Sequence, residues 1–250
     1  MPQSWNLYAY VLGHPLNFHD PDGKSTHTNK NGYVVAVYDD GNLGVYAHDS
    51  LKGWNGKTKL SKKGKGINLM GETEYWDEFR AVDDATGQVQ NAVAKGARIL
   101  FGQSWDKDLA RLNQEADKQG LPATAAESKH GRRFDIKTDN SLAPSGTYTG
   151  KLLDGKYASA RSAGNYLFGM NAATGTLLRK FGIGLGHIDA ETAQKLAGAY
   201  QQGHFSKMEV ARVLFNGTAF GPAPYYGEIP YSGRMQVAGF TAGQRIKDKR

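Results

Sequence analysis

The chain has 250 residues, 39% of them hydrophobic and 11% aromatic, with no cysteine and a formal net charge of +7. That length and apolar content provide for a packed core of one or two domains and exclude a disordered chain. The lack of cysteine excludes disulfides, thiolate-ligated metal and a cysteine nucleophile.

At the start, Leu7, Tyr8, Tyr10, Val11 and Leu12 alternate as in a short strand, followed by turn signals at Gly13-His14-Pro15 and Asp20-Pro21-Asp22-Gly23. Lys24–Gly32 is polar and reads as a flexible junction. Tyr33–Tyr38 reads as a strand, Asp39-Asp40-Gly41-Asn42 as a hairpin turn and Leu43–His48 as the returning strand. Lys57, Lys59, Lys62, Lys63 and Lys65 then crowd a glycine-rich loop, and Met70–Phe79 mixes acidic and aromatic residues. The first 23 residues hold Asp20 and Asp22 and no Lys or Arg, so the positive charge lies beyond them. A basic chain favours polyanionic partners: nucleic acid, anionic lipid or acidic wall polymers.

Further on, Ala97–Phe101 suits a strand, and Ser104 is placed to cap a helix with Trp105, Leu109, Leu112 and Ala116 on one face, ending at Gly120. Phe134–Lys137 reads as extended and Tyr157–Asn171 as helical despite Gly164 and Gly169. Asp189 caps a helix with Ala193, Leu196, Ala197 and Tyr200 inward. Ser206 and Glu209 form a capping box for another, stopped near Gly217. The tail, Phe220–Phe240, is rich in Pro, Gly and Tyr. Early strands and later helices predict an α+β fold, with an N-terminal β-hairpin or sheet region and a mainly helical C-terminal half in one compact domain. No apolar run approaches the length of a membrane span and no signal peptide opens the chain.

The segment Trp5–Gly23, with Asn6-Leu7-Tyr8-Ala9-Tyr10-Val11 followed by Asp20-Pro21-Asp22-Gly23, resembles the end of the core of rearrangement-hotspot (Rhs) proteins. In that family a variable toxin domain follows the Asp-Pro-x-Gly segment. The resemblance implies residues 1–23 as a core remnant and 24–250 as the toxin domain, released by cleavage near Lys24. It implies the Rhs core and its secretion apparatus as carrier and a cognate immunity protein as partner. Delivery would be into a target bacterium, to the cytoplasm or alternatively the periplasm.

From Phe134 onward the chain resembles a second family, bacterial polymorphic toxin type 44. The carrying motifs are Phe134-Asp135-Ile136-Lys137, Gly164-Asn165-Tyr166-Leu167-Phe168-Gly169 and Gly227-Glu228-Ile229-Pro230 with Val237-Ala238-Gly239. Glu228 stands where that family has aspartate, and Ser232 where it often has a second acidic residue. This divides the toxin domain into a β-rich lobe, 24–130, and a catalytic part, 131–250.

In chemical terms, an Asp-x-Lys on a strand puts Asp135 and Lys137 on one face, as an acid–base pair or as a simple salt bridge. Arg161 is a residue suited to clamping phosphate. On a helix beginning near Tyr157, Lys156 and Tyr157 fall close to Asn165 and Arg161. The catalytic candidates are therefore Asp135, Lys137, Arg161, Asn165 and Glu228. Lys156, Tyr157, Tyr166, Lys62 and Lys63 are candidates for substrate binding. The run from Gly182 to His187 offers backbone amides to an anion, with His187 as a possible base. No His-Glu-x-x-His, EF-hand, P-loop, zinc or Gly-x-Ser-x-Gly pattern occurs, so neither metal nor cofactor is expected.

The leading expectation is a metal-independent ribonuclease. Glu228 or Asp135 would be the base toward a ribose 2′-hydroxyl, with Lys137 and Arg161 stabilising phosphorane charge. The alternative is a periplasmic peptidoglycan hydrolase using the same carboxylates with the tyrosines of the Tyr225–Tyr231 tail. A non-enzymatic membrane-disrupting toxin is a third class, against which stands the lack of a membrane-inserting segment.

Overall fold

The computed structural model describes residues 24–83, 88–180 and 183–249, so the Rhs-like segment Trp5–Gly23 and Gly182 lie outside the described residues. The fold is α+β, strands first and helices later. It forms two compact units, one of residues up to Gln103 with Gly150–Ala158, the other of Ser104–Thr149 with Ser159 onward. This division falls elsewhere than the 24–130 and 131–250 lobes of the sequence reading.

In the first unit, β1 (Lys24–Asn29), β2 (Val34–Asp39), β3 (Gly44–His48) and β4 (Ile67–Glu72) form a sheet of order β2-β1-β3-β4. β1 runs antiparallel to β2 and parallel to β3. The expected junction is therefore a central strand, and the expected hairpin is absent because β1 lies between its two arms. Lys24, Ser25, Thr26, His27 and Thr28 are all buried. Their polarity suggests a loop, yet threonine at alternate positions suits a pleated strand, and the burial of Lys24, Ser25 and His27 is offset by partners at Asp39, Asp40 and His48.

β5 (Arg80–Val82) pairs with β6 (Val89–Val93). β7 (Arg98–Ser104), β8 (Thr149–Leu153) and β9 (Lys156–Ser159) make a three-stranded sheet. Asp154 and Gly155, at φ 50° and 88°, form the two-residue turn between β8 and β9. That turn explains why Lys156 and Tyr157 are strand residues and not the start of the following helix.

The second unit contains α1 (Asp106–Gln119), α2 (Leu121–Glu127), α3 (Ala160–Thr174), the hairpin β10 (Leu178–Lys180) and β11 (Ile183–Leu185), α4 (Ala190–Gln201), α5 (Lys207–Asn216) and α6 (Pro230–Lys247). Trp105, Leu109, Ile136, Leu167, Met235 and Val213 are buried in it. Asp189 caps α4, the Ser206–Glu209 box caps α5, and Gly217 ends α5 in the left-handed conformation. Ser104 Oγ accepts from Asp106 N at 3.0 Å, while Trp105 holds the N-cap position of α1.

Two segments differ from expectation. Ile136–Thr138 is a 3-10 turn, so Asp135 and Lys137 do not alternate on a strand. The Pro/Gly/Tyr tail contains the first eleven residues of α6, whose Pro230 occupies its first turn, where a missing N–H costs nothing.

Candidate functional site

The closest packing in the second unit is the crossing of α3 and α6, made possible by glycine. A Cβ on Gly169 would strike the Gln236 carbonyl oxygen, and one on Gly239 would strike that of Tyr166. With no side chains between them, the backbones touch, and residues flanking the crossing on both helices become neighbours. Gly198 of α4 admits the Tyr226 carbonyl in the same way, and Gly233 admits the Tyr225 ring. These contacts hold the 225–229 segment over the start of α6.

Glu228 is placed by that segment. Its Oε1 accepts from Ile229 N at 2.8 Å and its Oε2 from Gln236 Nε2 at 2.9 Å. The same Gln236 amide donates to Asn165 Oδ1 at 3.2 Å, and Gln236 Oε1 accepts from Gln194 Nε2 at 3.1 Å. Side chains from α3, α4 and the loop before α6 thus meet at the Gln236 amide. Burial pushes the Glu228 carboxyl above the usual glutamate range, against the opposing pull of the hydrogen bonds from Gln236 and Ile229.

One turn before Asn165 on α3, the Arg161 guanidinium lies 3.7 Å from the centroid of the Tyr231 ring. Tyr231 is buried, and its hydroxyl meets Ser159 Oγ at 3.3 Å and Ser162 Oγ more closely still. Asn165 Nδ2 donates to the Arg161 carbonyl at 3.1 Å. Arg161 and Asn165 therefore both reach from α3 to the 228–236 segment. Gly164 between them faces open space.

The remaining candidates lie elsewhere. Asp135 is buried, accepts from Gly131 N at 2.9 Å and lies 3.4 Å from His130 Nδ1. No hydrogen bond or ion pair joins it to Asn165 or Glu228. Lys137 is exposed. Tyr166 is buried under the helix crossing. Lys156 is exposed and Tyr157 buried on β9, in the first unit. Lys62 pairs with Asp40 at 2.8 Å, and Lys63 is exposed. His187 Nδ1 meets the Gly175 carbonyl at 3.1 Å, a contact internal to the second unit.

Gln236 and Gln194 do not figure among the sequence candidates. A helix starting at Pro230 was the available signal, since it sets Tyr231 and Gln236 on the α6 surface. A separate polar cluster in the first unit was also unannounced. Ser25 Oγ donates to Asp40 Oδ2 at 2.8 Å and lies 3.2 Å from His27 Nε2, and His27 Nδ1 lies 2.9 Å from His48 Nε2. Tyr46 stacks on His27 at 5.3 Å and Tyr38 meets it edge-on at 5.0 Å. Among the described residues, no group of three His, Asp or Glu side chains is placed to hold a metal ion, and no helix is long and apolar enough to cross a membrane.

No family model matches the chain, and no curated protein or solved structure matches it either.

Proposed function

We propose that this chain is the toxin region of an Rhs-type system and that it cleaves RNA without a metal ion, Glu228 moving the proton and Arg161 supplying positive charge. The observation that carries the reading is a half-buried Glu228, its carboxyl shifted upward, that is hydrogen-bonded to Gln236, which in turn is bonded to Asn165 and Gln194. A perturbed carboxyl tied through one amide to polar groups from separate segments has the character of a catalytic set. The motif resemblances and the net charge of +7 add the polyanionic substrate.

In this scheme Glu228 takes the proton of a ribose 2′-hydroxyl as O2′ bonds to the adjacent phosphorus. The P–O5′ bond breaks, and the departing 5′-oxygen takes a proton from water. Arg161, steadied on Tyr231, stabilises the charge that builds on the phosphoryl oxygens. Delivery to the target cytoplasm and neutralisation by an acidic immunity protein belong to the same proposal.

A wall-hydrolase reading draws on the same carboxyl, because a raised glutamate also suits a glycosidase acid. It needs a second carboxylate across the scissile bond, and among the described residues no other carboxylate shares the hydrogen bonds of Glu228. The test is cleavage of total RNA by the purified chain with and without EDTA, beside Glu228→Gln. Cleavage should persist in EDTA and be lost in the variant. Intact RNA with the wild type, and killing only when the chain is exported to the periplasm, would reject the ribonuclease.

A further inference from the structure

Away from Glu228, the surface of the second unit has an open hollow of about 310 Å³ lined by Arg111, Arg132, Arg133, Gly131, Thr138 and Asp139, with Leu112. Three guanidiniums and one carboxylate face this single space. Such an arrangement is costly in isolation, since like charges close together repel. Its internal pairing shows how the cost is reduced and what is left over.

One carboxylate holds two of the arginines. Glu115 Oε1 lies 3.3 Å from Arg111 Nη1, while Oε2 accepts from Arg133 Nη2 at 2.9 Å and from Arg133 Nε at 3.1 Å. Asp108 adds a longer contact of 3.8 Å to Arg111 Nη2. A guanidinium carries five N–H donors, so Arg111 and Arg133 are oriented by Glu115 with donors to spare. Arg132 makes no side-chain hydrogen bond or ion pair to a described residue. Asp139 is engaged by Ser141 N at 2.9 Å and by the Ser141 hydroxyl, which keep it ionised below the usual carboxylate range. Both of these contacts fall on Oδ1.

The turn that carries Arg132 and Arg133 is braced from below. Asp135 accepts from Gly131 N at 2.9 Å, Asp135 N donates to the Arg132 carbonyl at 3.0 Å, and Phe134 N donates to the Glu127 carbonyl at 2.9 Å. Gly131 has a φ of 72°, and a Cβ there would meet nothing. The arginines are thus set in place by a built turn and a bridging carboxylate. Preorganised guanidinium donors of this kind suit the oxygens of a phosphate.

We propose that this hollow is a phosphate-ester site, in which Arg111, Arg132 and Arg133 hold the phosphate of a nucleotide and Asp139 accepts from its sugar hydroxyls. Its volume lies at the lower end of small-ligand sites, roughly 300–1,000 Å³, enough for one phosphate with its sugar. The site stands on its own geometry. Its use in gripping an RNA strand rests on the ribonuclease reading.

The experiment is calorimetric titration of the full chain with inorganic phosphate, adenosine and adenosine monophosphate. The monophosphate should bind, adenosine should not, and binding should weaken with added salt. Arg132→Ala, which breaks no internal pair, should weaken monophosphate binding about tenfold or more, Arg132→Glu further, and Arg132→Lys less than either. Competition with 5′-phosphorylated and 5′-hydroxyl oligoribonucleotides separates the sources: preference for the phosphorylated oligomer assigns the site to an RNA end, and equal weak competition by both assigns it to a free nucleotide. Equal binding of adenosine and its monophosphate, no binding at millimolar concentration, or wild-type affinity in Arg132→Ala would each overturn the proposal. Glu228→Gln should leave this binding unchanged. Lost cleavage in that variant with unaltered affinity in Arg132→Ala rejects the phosphate site alone, and phosphate binding without any RNA cleavage rejects the ribonuclease alone.

Discussion

His48 Nε2 lies 2.9 Å from His27 Nδ1 across the parallel pair β1–β3, and the carboxylate at the far end of the cluster dictates the direction of that bond. Asp40 can only accept, so Ser25 gives it its hydroxyl proton, His27 Nε2 donates to Ser25, and His48 donates to His27. Both rings are then neutral and protonated at Nε2. Long-range proton–nitrogen NMR correlation at neutral pH should show this tautomer for each; an Nδ1–H form of His27 would break the derived chain.

The same cluster predicts acid sensitivity of the first unit. Burial, with His48 beside it, lowers His27 from 6.5 to about 4, while Asp40 pulls the other way and Lys62 and Lys59 add to the lowering. Between those values the unfolded chain binds the proton and the folded one does not. Stability is therefore full above about pH 6.5 and is lost as pH falls toward 4, on the order of 2 kcal/mol after allowance for solvent screening. Urea unfolding followed through Trp fluorescence at several pH values should show that slope, and His27→Gln should flatten it. An unchanged slope in the variant would assign the acid sensitivity to other groups.

The two glycines of the Gly164–Gly169 motif should behave in opposite ways. Gly169→Ala and Gly239→Ala each drive a methyl into a carbonyl at the α3–α6 crossing and should cost at least about 1–3 kcal/mol. Gly164→Ala meets nothing within a helix and should stabilise by about 0.5–1 kcal/mol. Thermal melts of the three variants check this. A stabilised Gly169→Ala would mean that the helices do not cross there.

The elements legible in the sequence were those set by local chemistry. Asp189, Ser206 with Glu209, and Gly217 mark helix ends because their hydrogen bonds are made within a few residues. The strand Lys24–Asn29 was hidden because two of its polar side chains, Ser25 and His27, find their partners in Asp40 and His48, 15 and 21 residues away. Of the candidate site, Asn165 and Glu228 come together through Gln236, a residue the motifs do not single out. Asp135 was marked by sequence, but its partners, Gly131 and His130, are nearby residues that make it part of a turn. Spacing alone does not separate a carboxylate that braces a loop from one that faces a substrate.

That distinction is testable at Glu228. Its hydrogen bonds to Ile229 N and Gln236 Nε2 are also those of a carboxylate securing the start of a helix. A purely structural role predicts that Glu228→Gln destabilises the protein at neutral pH, because an amide NH2 must face one of these donors. The upward shift of the carboxyl predicts otherwise. A folded value above the unfolded one means that the folded chain keeps its proton longer, so the contribution to stability is full below the ordinary glutamate range and is lost as pH rises through the elevated value. At pH 7 the ionised carboxylate is a liability, and Glu228→Gln should melt at the wild-type temperature or above it. If the ionised form is the base, cleavage should fall on the acid side of that elevated value, and the variant should lose it by about a hundredfold or more across the range. Melting curves and RNA cleavage measured on the same preparations decide the matter: a variant both less stable and still active identifies Glu228 as a helix brace and removes it from the chemistry.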